Sequence, residues 1–365
     1  MNPMPDRFEA ASGGTGELHR FIFEGLPVRG ALLRLGGAWQ EVLKRRSVAG
    51  ESFALPVRQL LGEMTAAAVL MQSSIRFNGD LVLQMVGDGP VKLAVAEVRS
   101  DLAFRATAKV VGEVADDARL QALLNVHGGG RCAITLDPKD KFPGQQPYQS
   151  SVALHGDRRE PLQQLSEVLE HYMLQSQQLD TRLVLAADDH QAAGLLIQRM
   201  PVEGAGNLGN VGNNVGNNVR NNVGNNVGNL GNVGNFGDTR NEDRIGLDED
   251  YRRIALLAGT LTRDELLGLD ADTVLRRLFW EEKLRRFAPM NGEDGPRFEC
   301  RCSRERVARM LEGLGRAEVD GIVVEQGRVE IGCDFCGNKY HFDPVDVGEL
   351  FTPLSMQMPG SSAIN

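Results

Sequence analysis

Apolar positions follow two different periods in the first two hundred residues. In "PVRQLLGEMTAAAVLMQSSI" they recur every three or four residues, which predicts a buried helix. "EPLQQLSEVLEHYMLQSQQL" predicts a second, amphipathic helix. The apolar runs of "DLVLQMVGDGPVKLAVAEV" meet at a Gly/Pro-rich turn, which predicts a hairpin. Further strands are predicted in "FRATAKVVGEV", "CAITLD", "YQSSVALHG", "TRLVLAAD" and "AGLLIQRM".

Clustered strands with helices between the groups are typical of an α+β fold, in which an antiparallel-rich sheet packs against helices. We assign residues 18–202 to one such domain, preceded by a flexible N-terminus at residues 1–17. At residue 203 the pattern gives way to a low-complexity tract built on Asn, Gly and single valines. With so little to bury, residues 203–237 are interpreted as a disordered tether, although a stacked structure with asparagine ladders is an alternative.

Residues 238–296 are rich in charge and carry short helical patterns. Thr262 is a candidate N-cap for "RDELLGL", and Asp270 or Asp272 for a helix that runs on through residues 274–287. Its apolar stripe is enough to dock on another surface but too thin for an independent core. We therefore expect a metastable helical linker that folds only while it is held in place. The stripe consists of Val274, Leu275, Leu278 and Phe279.

Composition narrows the classes of protein that remain. A formal charge of −9 and a pI near 5.3 argue against general binding to a nucleic-acid backbone. The N-terminus has no apolar segment typical of a secretion signal, and no apolar run has the length of a membrane helix. These features indicate a cytoplasmic protein without a membrane partner, in which clustered cysteines bind metal more often than they form permanent disulfides.

Four of the five cysteines form a C-x-C and a C-x-x-C motif near the C-terminus, and 30 residues separate the two pairs. Such a set predicts one tetrahedral zinc ion per chain in a small domain at residues 297–350, followed by a flexible tail at 351–365. Ser303 is a candidate cap for the helix "RERVARMLEGL", and "GIVVEQGRVEIG" is predicted to form a hairpin. His341 is a less favoured ligand, because four thiolates already complete the tetrahedron. The predicted ligands are Cys300, Cys302, Cys333 and Cys336.

The C-x-C motif also suggests a redox function. A single intervening residue permits a small, strained disulfide once the metal has left, and strained disulfides are readily reduced. Zinc holds the sulfurs as thiolates, the form that oxidants attack, and a domain folded mainly by metal binding would unfold on oxidation. A redox-sensitive site and a purely structural zinc ribbon both fit the spacing.

The block "CRCSRERV…CDFCGNKYHF" closely resembles the heat shock protein 33 family, as do "HRFIFEGLPVRG", "FNGDLVLQMVGDGP", "LQSQQLDTRL" and "LLIQRMP" upstream. The resemblance implies a redox-regulated, ATP-independent holdase chaperone of the stress response. It implies that zinc is bound in the inactive reduced state, and that oxidation pairs Cys300 with Cys302 and Cys333 with Cys336. Zinc release and linker unfolding then produce a homodimer that binds unfolding client proteins. Residues 18–202 would form the substrate-binding and dimerisation domain.

The remaining features do not suggest an enzyme. No nucleophile and base can be paired from the sequence, so we predict no catalytic residue. Cys132 is interpreted as a buried core cysteine, with a secondary oxidation site as the alternative. Two other functions stay open: a zinc-ribbon nucleic-acid-binding protein, which needs a basic face with aromatics, and a thiol–disulfide oxidoreductase, which needs a reactive cysteine at a helix start.

Overall fold

The structure, a computed structural model, describes residues 15–48, 52–142, 144–200 and 241–352. The predicted tether at 203–237, nearly all of the predicted N-terminus and most of the tail lie outside these residues. The chain forms two compact units that divide between Glu299 and Cys300, and the end of the first helix, from Arg45, is grouped with the second unit. The domain boundaries at 202, 237 and 296 stay predictions.

Helices and strands are numbered separately in chain order. The helices are α1 (Gly36–Val48), α2 (Leu55–Ser74), α3 (Leu120–Leu124), α4 (Leu165–Gln177), α5 (Asn241–Gly259), α6 (Arg263–Gly268), α7 (Ala271–Phe279), α8 (Arg304–Leu314), α9 (Arg316–Gln326) and α10 (Pro344–Leu350). The strands are β1 (Glu17–Phe23), β2 (Val28–Arg34), β3 (Gly79–Val86), β4 (Val91–Arg99), β5 (Ala103–Val110), β6 (Arg131–Pro138), β7 (Tyr148–Ala153), β8 (Thr181–Ala187), β9 (Ala192–Arg199), β10 (Leu284–Arg286), β11 (Arg297–Phe298), β12 (Val329–Gly332) and β13 (Lys339–Phe342).

The first unit contains two sheets. One has the strand order β10-β1-β2-β9-β8 and the other β11-β5-β4-β3-β6-β7. Neighbouring strands are antiparallel, except that β11 runs parallel to β5. The predicted α+β class and the hairpin of β3 and β4 are confirmed. At the hairpin turn, a Cβ atom on Gly87 would lie 2.2 Å from the carbonyl oxygen of Val91, so only glycine fits there.

A first core lies around α2, which packs against strands of both sheets. The helix begins with proline in its first turn, and most of its Leu, Ala and Met side chains are buried. Trp39 of α1 and Tyr172 of α4 are also fully enclosed in this core. Because α2 contacts strands of both sheets, it organises the first unit.

A second core covers the opposite face of the five-stranded sheet. Apolar residues of α5, α6 and α7 pack there against β1, β2 and β9. The ring of Phe279 lies edge-on to Phe23, with 5.1 Å between centroids. Strand β9 is buried on both faces, which explains its nearly continuous apolar sequence "AAGLLIQ". The apolar stripe of α7 is therefore docked on the sheet, as expected from the sequence, together with apolar residues of α5 and α6.

The prediction of one helix through residues 274–287 is wrong. Of the two predicted caps, Asp270 is the one that caps α7, by accepting from the backbone N–H of Thr273, but the helix ends at Phe279. Residues 284–286 instead form β10 on the edge of β1, and Phe287 N–H donates to the carbonyl oxygen of Arg20 at 2.9 Å. The unpaired edge of β1 offers backbone hydrogen bonds that outweigh the helical propensity of this charged segment.

The second unit has a small third core formed by α8, α9, α10 and the β12–β13 hairpin. The prediction of a hairpin from "GIVVEQGRVEIG" is wrong in its first half, because Gly321–Gln326 belong to α9. Ile322 and Val323 pack beside buried Val319 at helical spacing, and Gly327 ends the helix with a φ of +77°. Packing therefore overrides the strand preference of the β-branched residues.

Candidate metal and redox centre

The four predicted cysteines meet in the second unit. Along the chain, two of them precede α8 and two follow α9. Cys300 and Cys302 lie just before α8, whose first turn is capped by the Ser303 hydroxyl accepting from the N–H of Arg306 at 3.3 Å. The cap confirms the predicted helix start and fixes the direction in which the chain leaves Cys302.

Cys333 and Cys336 lie in the turn between β12 and β13. Cys333 N–H donates to the Asn338 carbonyl at 2.9 Å, and Gly337 N–H donates to the Cys333 carbonyl at 2.8 Å. Gly337 has a φ of +71°, which favours glycine and lets the turn close tightly behind Cys336. The β-hairpin thus presents both sulfurs on one side of the turn.

All four sulfur atoms lie within 4.8 Å of one another. The separation is 3.6 Å between Cys300 Sγ and Cys333 Sγ, and 3.3 Å between Cys302 Sγ and Cys336 Sγ. Four sulfurs bonded to one zinc ion at about 2.3 Å would lie about 3.8 Å apart. Both the donor chemistry and the spacing therefore suit a metal that prefers a tetrahedral set of thiolates.

Hydrogen bonds among the four thiols shift their pKa values in opposite directions. Donation from Cys300 lowers the pKa of Cys302 to about 6 and also lowers the pKa of Cys333. The pKa of Cys300 is raised, first by Cys302, and that of Cys336 is raised, first by Cys300. Hydrogen bonds within the cluster therefore favour thiolate at part of its sulfurs, and thiolate is the form that binds metal and reacts with oxidants.

Tyr340 extends the site beyond the cysteines. Its hydroxyl donates to Cys302 Sγ at 3.1 Å, while Phe342, two residues along β13, is buried in the third core. This hydrogen bond to sulfur was not predicted from the sequence. The alternation of side chains along β13 could have placed Tyr340 on the same face as Phe342, because residues two apart share one face of a strand.

Two other candidate residues lie apart from the cluster. His341 is 48% exposed, and its Nδ1 lies 3.4 Å from a carboxylate oxygen of Glu330. Cys132 is fully buried in the first core, as predicted, and burial raises the pKa of its thiol to about 12. A thiol that is both enclosed and protonated is unreactive.

Comparison with known proteins agrees with these features. Residues 16–343 match the family model described as Hsp33 protein. The chain belongs to the Hsp33 family. It is 42% identical over 336 residues to the 33 kDa chaperonin of Chromobacterium violaceum, covering 92% of this chain and 93% of that protein. It is 39% identical to the 33 kDa chaperonin of Neisseria meningitidis serogroup A, covering 91% and 90%.

The crystal structure of the 33 kDa chaperonin (heat shock protein 33 homolog) from Thermotoga maritima has the same fold, with a TM-score of 0.64 at 18% identity, over 92% of this chain and 97% of that one. The Hsp33 family consists of chaperones rather than enzymes, so membership supports a chaperone. In the part of the chain that the structure describes, no helix has the length and apolarity needed to cross a bilayer.

Proposed function

We propose that this protein is a redox-regulated, ATP-independent holdase that binds unfolding proteins in the cytoplasm under oxidative stress. The observation that carries this proposal is the meeting of four thiols within 4.8 Å in a unit with a small apolar core. In the reduced protein Cys300, Cys302, Cys333 and Cys336 would hold one zinc ion. When bound, zinc would stabilise four thiolates and supply much of the folding free energy of the second unit.

Oxidation would join Cys300 to Cys302 and Cys333 to Cys336. Formation of each disulfide takes two electrons from a pair of thiolates, and an oxidant such as peroxide or hypochlorite accepts them. Three of the four cysteines are only partly buried, so a small oxidant can reach them. All four sulfurs are close enough for other pairings, and the proposed pairing therefore rests on the resemblance to the family. Peptide mapping after trypsin distinguishes the proposed pairing from pairing across the two motifs. The proposed pairing links the adjacent peptides 298–301 and 302–304 to each other, whereas pairing across the motifs links both of them to the peptide 329–339.

The linker would be released as the second unit unfolds. Strand β11 ends one residue before Glu299, which directly precedes Cys300 in the chain. Glu299 accepts a hydrogen bond from Arg99 at 2.7 Å, and Asp101 accepts one from Arg297 at 2.8 Å. These contacts hold β11 beside β5. Because β11 lies next to Cys300 in the chain, unfolding that begins at Cys300 would disrupt the pairing of β11 with β5 first.

Release of the linker would expose two apolar surfaces that now form the second core. One is the sheet face that carries Phe21, Phe23 and Leu32, and the other is the stripe of α7. An exposed apolar surface of this kind binds unfolded chains and also promotes association, which supports a homodimer as the active form.

Light scattering of a heat-unfolding client tests the proposal. The reduced, zinc-loaded protein is compared with the same protein after oxidation, while a metal-sensitive dye reports zinc release. We expect aggregation to be suppressed only after oxidation and zinc loss. Equal suppression by both forms, or zinc release without suppression, would contradict regulation by the cysteines.

A further inference from the structure

The first unit carries a second candidate site, far along the chain from the cysteines. A cleft of about 410 Å³ opens where α2 ends against the five-stranded sheet, on the face opposite the second core. Three arginines line it: Arg20 on β1, Arg29 on β2 and Arg76 after α2. Ile22, Ile75, Leu196 and Phe287 provide apolar walls.

The strand register places two of the arginines on the same face of the sheet. Ile22 pairs with Arg29, and Arg20 lies two residues before Ile22, so both side chains point to one side of the sheet. Arg29 is partly buried, and burial lowers the pKa of its guanidinium. Its hydrogen bond goes to Gln198, a neutral amide, with 3.1 Å between Arg29 Nε and Gln198 Oε1.

The charge in this cleft is not neutralised by the described residues. None of the residues that line it is Asp or Glu. Within the described part of the chain, the side chains of Arg20 and Arg76 form no ion pair with a carboxylate. The C-terminal end of α2 attracts a cation and accounts for Arg76. It does not account for Arg20 and Arg29, which lie on strands.

We propose that this cleft binds a small phosphate monoester whose organic group is apolar. A phosphate dianion offers several oxygens to planar guanidinium groups, which bind such anions with paired hydrogen bonds. The volume falls in the range of small-molecule sites, and the apolar walls suit the organic group. Since no neighbouring carboxylate offsets Arg29, the ligand would supply the missing negative charge.

Binding to the reduced, zinc-loaded protein is measured by calorimetry with phenyl phosphate, inorganic phosphate and benzyl alcohol. We expect saturable binding of phenyl phosphate, weaker binding of inorganic phosphate and none of benzyl alcohol. Arg20→Gln and Arg76→Gln should each weaken binding by about tenfold or more. Arg158→Gln removes the same charge from an exposed position outside the cleft and should leave binding unchanged. Absent saturable binding, or equal weakening by Arg158→Gln, overturns the proposal.

Two further variants examine the rest of the cleft. Arg29→Lys keeps the charge but loses the paired geometry, so it should bind more weakly than the parent while remaining folded. Phe287→Ala should weaken phenyl phosphate but not inorganic phosphate. If inorganic phosphate binds as tightly as phenyl phosphate, the ligand is a simple anion and the proposed class is wrong.

Phe287 belongs to the predicted linker, so ligand binding should also depend on linker docking, an effect that rests on the proposed function. We expect phenyl phosphate binding to weaken at least tenfold in the oxidised protein. Unchanged affinity after oxidation would contradict this dependence. The arginine variants are tested on the reduced protein and need no chaperone activity, so failure of the site and failure of the proposed function give different results.

Discussion

The first and third cores differ in the amount of apolar surface that each encloses. The first core collects side chains from two sheets and from α1, α2 and α4. The third core has only a few fully buried residues: Leu311, Val319, Val329, Phe342 and Val347. Small units of this kind usually need a metal or disulfides to fold, whereas the first unit can be stabilised by burial alone. The four clustered cysteines thus lie in the unit with the smaller apolar core, where less burial opposes unfolding.

Metal removal should reveal the largest difference in stability between the two units. Structural zinc contributes on the order of 10 kcal/mol to the folding of small domains. Chelation, or the Cys333→Ser variant, is therefore expected to unfold residues 300–352 and leave the first unit folded. Limited proteolysis with mass spectrometry locates the new cleavage sites. Cys132→Ala is the control and should keep zinc. Cleavage spread equally over both units would contradict the difference.

The second-largest effect is expected when a side chain of the second core is shortened, which should weaken docking of the linker. Phe279 is 2% exposed and contacts Phe21 and Phe23, whereas its neighbour Trp280 is 74% exposed. Phe279→Ala is expected to weaken docking by about 3 kcal/mol. It should therefore suppress client aggregation at a lower oxidant dose. Trp280→Ala is the matched control, and equal effects of the two variants would show that the second core does not hold the linker.

Glu63 gives the first unit a pH dependence of intermediate size. Burial raises the pKa of this carboxyl to about 7, against the attraction of Arg263. The folded-state pKa of Glu63 lies above its unfolded value. Its contribution to the free energy of unfolding is therefore fully present at low pH and declines as the pH rises from about 4.5 to 7. Glu63→Gln should remove that decline and stabilise the protein at pH 8 by about 1–3 kcal/mol.

Urea unfolding at pH 5 and pH 8 measures the effect of Glu63→Gln. The exposed Glu113→Gln serves as the control and should change neither value. A difference between Glu63→Gln and the parent that stays the same at both pH values would argue against titration of Glu63.

The smallest expected effect is at the cap of α8. Ser303→Ala removes the hydroxyl that accepts from Arg306 N–H and should cost the second unit about 1 kcal/mol. The rate of zinc transfer to a chelator should increase modestly. Ser303→Asp, which can also cap the helix, should restore the slower rate. Equal rates in all three proteins would show that the cap does not stabilise the metal site.

Sequence periodicity and capping residues were sufficient to predict the elements that are decided by local contacts. The burial pattern of α2, the β3–β4 hairpin and the caps at Thr262, Asp270 and Ser303 follow from local spacing and capping chemistry. The grouping of the four cysteines also followed from the sequence, because tetrahedral zinc sites recur with such pairs.

The errors lie where distant contacts decide the structure. Residues 284–286 look helical, yet they become a strand because β1, more than two hundred residues earlier, offers a free edge. Ile322 and Val323 look like strand residues, yet the third core holds them in α9. The elements β1, β2 and α1 were not identified individually, since "HRFIFEGLPVRG" is short and Trp39 is buried only through the folded sheet.

The most direct test of the central claim is hydrogen exchange of the full chain before and after oxidation. If oxidation at the cysteines releases the linker, the amides of α7 and β10 should lose protection together with those of the second unit. The amides of α2 should keep their protection. An oxidised, zinc-free protein that suppresses aggregation while α7 and β10 stay protected would contradict linker release as the basis of its activity.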